Sequence, residues 1–140
     1  MTQEKKTFQQ LTSKGVCQIY ELLLEDNLVS ASFPLSPESI DKVDTIVASI
    51  NNIYFDIERY ITNEEKAVAY LYFIINDHPF TDGNKRTAVL SFKVVCDLNN
   101  IIPDPEIPLD ALAVYIENKK VKDYQFFIKA IASLLFDKNV

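Results

Sequence analysis

Apolar residues recur at helical spacing along almost the whole chain. Phe8, Leu11, Cys17, Ile19, Leu22 and Leu23 predict a first helix over Thr7 to Leu24. Asn27 to Leu35 reads as a loop. Ser36-Pro37-Glu38 then supplies a hydroxyl cap, a proline at the first helical position and an acid in the first turn, opening a helix that carries Ile40, Val43, Ile46, Val47 and Ile50. Thr62-Asn63-Glu64-Glu65 has the pattern of a capping box, ahead of a helix through Lys66 to Asn76. Another helix follows from Thr87 to Leu98, with Ala88, Val89, Phe92, Val95 and Cys96 on one face. Pro103, Pro105 and Pro108 mark a loop, after which Leu109 to Asn118 and Asp123 to Phe136 close a bundle. The exception is Asn51 to Ile61, where Ile53, Tyr54, Phe55, Ile57, Tyr60 and Ile61 favour extended structure. Two glycines in the whole chain leave little room for a turn-rich β architecture. The expected fold class is all-α, a helical bundle with one short extended insertion.

Composition narrows the class. At 140 residues the chain is long enough for one well-formed core, so a single domain over 1–140 is expected. Within it, 36–136 forms the core and 1–35 an N-terminal helix and loop, which could equally be the end of a linker from a longer parent. A hydrophobic content of 48% and a charged content of 24% suit a soluble globular protein. No apolar run approaches a membrane span, and Met1 to Gln10 is too polar for a signal peptide, so a cytoplasmic location without membrane partners is expected. Cys17 and Cys96 stand alone on helical segments and are expected to be buried and reduced. With one histidine and no close cysteine pair, zinc is not expected. The net charge of −6 argues against nonspecific nucleic-acid binding, and it makes any local cluster of cations stand out.

One such cluster exists. His78-Pro79-Phe80-Thr81-Asp82-Gly83-Asn84-Lys85-Arg86 holds the only histidine and one of the two glycines. Each of these residues alone would pass for loop or solvated surface; their order within nine positions carries more. Asp82-Gly83-Asn84 is a turn signal, and Gly83 can take a backbone conformation closed to other residues. If the next helix starts near Asn84, the free N–H groups of its first turn point back into the loop and suit a phosphate. Lys85 and Arg86 are mildly unfavourable at a helix N-terminus, and a bound polyphosphate explains them. Asp82 is a hard oxygen ligand for a Mg²⁺ that also touches phosphates. The imidazole of His78 can accept a proton from a hydroxyl.

These residues resemble the signature of the Fic/Doc (Fido) family, His-x-Phe-x-Asp/Glu-Gly-Asn-Gly/Lys-Arg, filled here without a gap by His78, Phe80, Asp82, Gly83, Asn84, Lys85 and Arg86. The approach through Tyr72 to Asp77 and the continuation Thr87-Ala88-Val89 are also similar, so the likeness covers roughly residues 50 to 136. The resemblance implies a Fido-type helical bundle with a short β-hairpin flap before the motif helix. It implies His78 as general base, Phe80 as the anchor of the loop, Asp82 as the Mg²⁺ ligand, and Gly83, Asn84, Lys85 and Arg86 as the grip on the phosphates of ATP. Tyr54 and Phe55 of the flap would dock a target protein with an exposed Ser, Thr or Tyr. The implied enzyme is a transferase that modifies a protein hydroxyl.

Two departures set the expected chemistry. The AMP-transferring pattern has Gly where Lys85 stands and a second Arg where Val89 stands. Both changes resemble the Doc branch, whose members bind ATP in a reversed pose and act as protein kinases, so phosphoryl transfer is expected. The alternatives are AMP transfer and a degenerate module that binds a nucleotide or protein without turnover. Many Fic proteins also carry an inhibitory Ser/Thr-x-x-x-Glu-Gly/Asn helix. The nearest match is Glu117-Asn118, but Ala113 takes the hydroxyl position, and Glu117 reads as a solvated helix residue. A separate antitoxin or inhibitory domain is therefore implied.

Overall fold

A computed structural model describes residues 7–28, 34–54, 57–58, 60 and 62–137. Six helices make up the described fold: α1 (Ser13–Glu25), α2 (Pro37–Asn51), α3 (Asn63–Asp77), α4 (Asn84–Leu98), α5 (Leu109–Asn118) and α6 (Tyr124–Phe136). None of them is long and apolar enough to cross a membrane. Local side-chain caps set four of the starts. Thr12, Ser36, Thr62 and Asp123 accept from the backbone N–H of Gly15, Ser39, Glu65 and Phe126.

The centre of the bundle is α3. It packs against α2, α4, α5 and α6, and Ala67 through Tyr72 are all buried, so it has no solvent face along that run. Tyr70 and Tyr72 belong to this core. α1 lies across α2 and α4 and contributes Val16, Cys17, Tyr20 and Leu23 to the same core.

The first helix is shorter than the periodicity predicts: residues 7–12 are not helical. A long-range amide pairing competes for that segment. Gln9 N–H donates to Asn99 Oδ1 at 2.8 Å, and Asn99 Nδ2 donates back to Gln9 O at 2.9 Å. Asn99 is itself buried at the end of α4, so this exchange ties the N-terminal segment to that helix. The apolar residues Phe8 and Leu11 still contribute to the core, but from a non-helical segment.

Between α2 and α3, β1 (Ile53–Tyr54) and β2 (Ile57–Glu58) pair antiparallel, with Ile53 opposite Glu58 and Tyr54 opposite Ile57. That is all the strand structure among the described residues. Phe55 lies outside them, and of Tyr54 only the backbone is described.

Both cysteines are free and buried. Burial, and then the nearby Asp97 and Glu64, push the Cys96 thiol up from 9.0 to about 12. Burial likewise pushes the Tyr70 hydroxyl from 10.0 to about 12, although it donates to Leu11 O at 2.6 Å and accepts from Asn51 Nδ2 at 3.0 Å. In both groups the unfolded chain gives up its proton before the folded one. Their contribution to stability is therefore complete below pH 9.0 and falls as the pH rises from there to about 12. Chemical denaturation at stepped alkaline pH should show the midpoint declining over that window, and Cys96→Ser should blunt the decline.

Candidate active site

The motif occupies the turn between α3 and α4. α3 ends at His78, whose backbone is left-handed (φ 47°, ψ 62°), and Pro79 follows, which cannot extend the helix. A non-glycine residue held there costs on the order of 1 kcal/mol or more, so the surrounding loop must impose it. The strain leaves the imidazole exposed beside the start of α4. Gly83 (φ 82°, ψ 15°) makes the return turn, where a side chain would be disfavoured. Gly83 is also the N-cap of α4 and can offer no capping side chain, so the first-turn N–H groups of α4 have no side-chain partner at the cap.

Two buried residues hold the loop in shape. Phe80 is 4% exposed and stacks face to face on Tyr20 of α1, with ring centroids 4.1 Å apart and planes 7° from parallel. Burial, and then the Asp82 carboxylate, push the Tyr20 hydroxyl up, which places Asp82 within electrostatic reach of that ring. Asn84, 7% exposed, closes the loop on itself. Its Oδ1 accepts from Phe80 N–H at 3.0 Å and its Nδ2 donates to Phe80 O at 2.8 Å.

That exchange fixes which way the amide points, because Phe80 N–H can only donate. Nδ2 consequently faces His78 Nδ1, at 3.3 Å. Nδ1 must accept there, so the neutral ring carries its proton on Nε2. Asn84, expected among the phosphate-binding groups, has its side chain committed to Phe80 and His78. What it can offer a phosphate is its backbone N–H.

Around this turn lies a polar cavity of about 220 Å³, lined by His78, Asp82, Gly83, Lys85, Arg86 and Glu117 among others. Asp82 and Arg86 are exposed, and Arg86 makes no ion pair among the described residues. Lys85 does. Its Nζ lies 3.0 and 3.1 Å from the two carboxylate oxygens of Glu117 on α5. Glu117 is exposed, as a solvated helix residue would be, and is in addition paired. The two positions are 32 apart in sequence, and only the packing of α5 on α4 brings them together.

A model of the Fic/DOC family matches residues 10–96, more than half of the chain. The chain belongs to the Fic/DOC family. The match reaches back through α1, well before the span over which the motif's flanks resemble the family, and it ends within α4. No curated protein and no solved structure matches the chain. For a Fic/DOC chain, the structure adds two site neighbours that the motif does not name. Tyr20 supports Phe80 from α1, and Glu117 pairs with Lys85 from α5; the sequence signals are a buried helical position for Tyr20 and, for Glu117, its place in the partial match to the inhibitory pattern.

The Lys85–Glu117 pair is partly exposed, with side chains 41% and 31% accessible. Such pairs contribute roughly 0–1 kcal/mol to stability, so removing it should barely move the fold. Its effect on an anion should be larger, since it masks a cation in the cavity. Glu117→Gln should leave the melting temperature within a few degrees and tighten binding of Mg²⁺–ATP by about three- to tenfold, a change of order 1 kcal/mol. Calorimetric titration of both proteins checks this.

Proposed function

We propose that this chain is an ATP-dependent transferase of the Doc type, which moves the γ-phosphoryl group of ATP to a hydroxyl side chain of a target protein. The observation that supports it most is the single cavity holding a base, a carboxylate, two cations and a helix start without a capping side chain. Phosphoryl transfer asks a protein mainly for positioning and for neutralisation of phosphate charge, and these groups can supply both.

In the reaction, the target hydroxyl lies beside His78. Its proton passes to Nδ1, the ring nitrogen that carries the lone pair, as the 3.3 Å contact with Asn84 gives way. The hydroxyl oxygen attacks the γ-phosphorus, the bond from that phosphorus to the β–γ bridging oxygen breaks, and ADP leaves. Arg86 and the backbone N–H groups at the start of α4 hold the phosphates, and Lys85 joins them when it releases Glu117. Among the described residues no group of three or more His, Cys, Asp or Glu side chains is placed to hold a metal ion. Asp82 beside a phosphate cradle instead suits Mg²⁺, which takes one or two carboxylates and fills its shell with water and phosphate oxygens. Bound there, Mg²⁺ would neutralise charge on the phosphates.

The paired strands β1 and β2 support a docking role for the flap, with Tyr54 and Phe55 meeting an extended stretch of the target. The two buried, free thiols fit a reducing cytoplasm. Since Ala113 replaces the hydroxyl of the inhibitory pattern, restraint of the activity falls to a separate antitoxin or inhibitory domain. Incubating the protein with Mg²⁺, γ-labelled ATP and a cell lysate tests the reading. Label should appear on a protein acceptor and disappear when Mg²⁺ is chelated. A lysate that acquires no label from either end of ATP would reduce the chain to a binding module.

A further inference from the structure

The hold on His78 begins outside the motif, on α1. Tyr20 is 1% exposed, and its ring lies parallel to that of Phe80 in direct contact. The helix under the Tyr20 ring is fixed without help from the loop. Val16, Cys17 and Leu23, at i−4, i−3 and i+3 from Tyr20, are buried on the same face of α1. The core therefore sets the place of a flat wall, and Phe80 lies against it.

Phe80 carries that placement onward. Its backbone N–H and C=O are both bound by the Asn84 side chain, at 3.0 and 2.8 Å. An amide nitrogen has two protons, and the one that Phe80 O does not take is left for His78 Nδ1, at 3.3 Å. Contacts thus run unbroken from Tyr20 through Phe80 and Asn84 to His78. The last is the longest of these hydrogen bonds, and it restrains a ring on a left-handed, strained backbone. Where the imidazole points, and which nitrogen keeps its lone pair, then depends on how firmly the loop is seated.

We infer that Tyr20 is a positioning residue for the transfer reaction: its ring seats Phe80, and Phe80 through Asn84 orients His78 and keeps Nδ1 free of a proton. This rests on the transferase reading above and deepens it, because the base is then prepared by α1 as well as by the motif. The Tyr20 hydroxyl is a separate matter. It feels the Asp82 carboxylate, so the ring and the hydroxyl must be removed separately.

Tyr20→Phe keeps the flat face and removes only the hydroxyl. Tyr20→Met and Tyr20→Leu keep apolar bulk and remove the face; two such variants are made so that one misfolded protein does not silence the test. Leu23→Ala, one turn further along α1, serves as a control for lost stability. Two measurements are compared at a temperature where each protein is folded: the ring ¹⁵N resonances of the single histidine, and the kinetics of transfer. Tyr20→Phe should keep the histidine signals of the unaltered protein and most of its kcat. The Met and Leu variants should shift the ring toward a mixture of tautomers. Their kcat should fall by about 10- to 100-fold with KM for ATP within about twofold, since the groups that hold phosphate stay in place while the base is misplaced. Leu23→Ala should melt at a lower temperature yet keep the signals and the kcat. Unchanged signals and kcat in the Met and Leu variants overturn the assignment. So does a Leu23→Ala protein that shifts as they do, or a Tyr20→Phe protein no better than they are. If the tautomer shifts as expected but even the unaltered protein transfers no label from ATP, the transferase reading falls while the seating of His78 by Tyr20 stands.

Discussion

Replacing His78 with alanine should lower transfer to the target protein by about two to four orders of magnitude and leave the helical fold in place. His78 is the only histidine, its ring is exposed, and it contributes nothing to the core, so the loss would be chemical. Its left-handed backbone complicates an alanine variant slightly, since alanine tolerates that region less well. His78→Asn keeps a residue suited to the conformation and still removes the base. Both variants should melt within a few degrees of the parent and both should be nearly inactive. Near-normal turnover in either one would remove His78 from the mechanism.

Asn84→Ala should be nearly as damaging, for a different reason. It would leave the N–H and C=O of Phe80 buried without partners, at ~1–3 kcal/mol each, and would free the His78 ring. For a chain of this size that corresponds to a fall of roughly 5–15 °C in melting temperature, with transfer reduced at temperatures where the protein is still folded. Asn84→Asp loses the donor to Phe80 O and so keeps only part of the loop closure. It can still accept from Phe80 N–H, but it sets an acceptor against His78 Nδ1 and should draw the ring proton to that nitrogen. Because there is one histidine, its ring ¹⁵N resonances report a single residue. The parent protein should show the proton on Nε2, and Asn84→Asp should show it on Nδ1. A parent protein with the proton on Nδ1 would contradict the amide orientation.

What was legible in the chain was what short-range chemistry decides. Ser36-Pro37, Thr62 and Asp123 mark helix starts because a side-chain oxygen and an N–H two or three residues on form the cap without help from elsewhere. The bundle's last two helices follow from apolar spacing between proline and aspartate signals. The motif could be read as a set of residue types, and Gly83 as the turn that needs a glycine.

What escaped depends on contacts between distant positions. The first helix starts late because Asn99, 90 positions away, takes the backbone of Gln9. Glu117 is a surface residue, as its position suggests, but nothing near it in sequence reveals Lys85 across the α4–α5 seam. The commitment of the Asn84 side chain is hidden for a subtler reason. An amide at a helix start beside two cations suits a phosphate, but the same amide four residues after Phe80 can close the loop, and the loop's backbone takes it first. A side chain that shapes a site and one that binds in it share a residue type; only geometry separates them.

In the proposed reaction the γ-phosphorus, not the α-phosphorus, meets the hydroxyl beside His78. Two matched reactions decide it: the unaltered protein, Mg²⁺ and lysate, with ATP labelled at the γ-phosphate in one and at the α-phosphate in the other. Label should appear on a protein acceptor in the first and not in the second, with the acceptor heavier by one phosphoryl group. Label from the α-phosphate, on an acceptor heavier by an intact AMP group, would contradict it and make the chain an AMP-transferring member of the family.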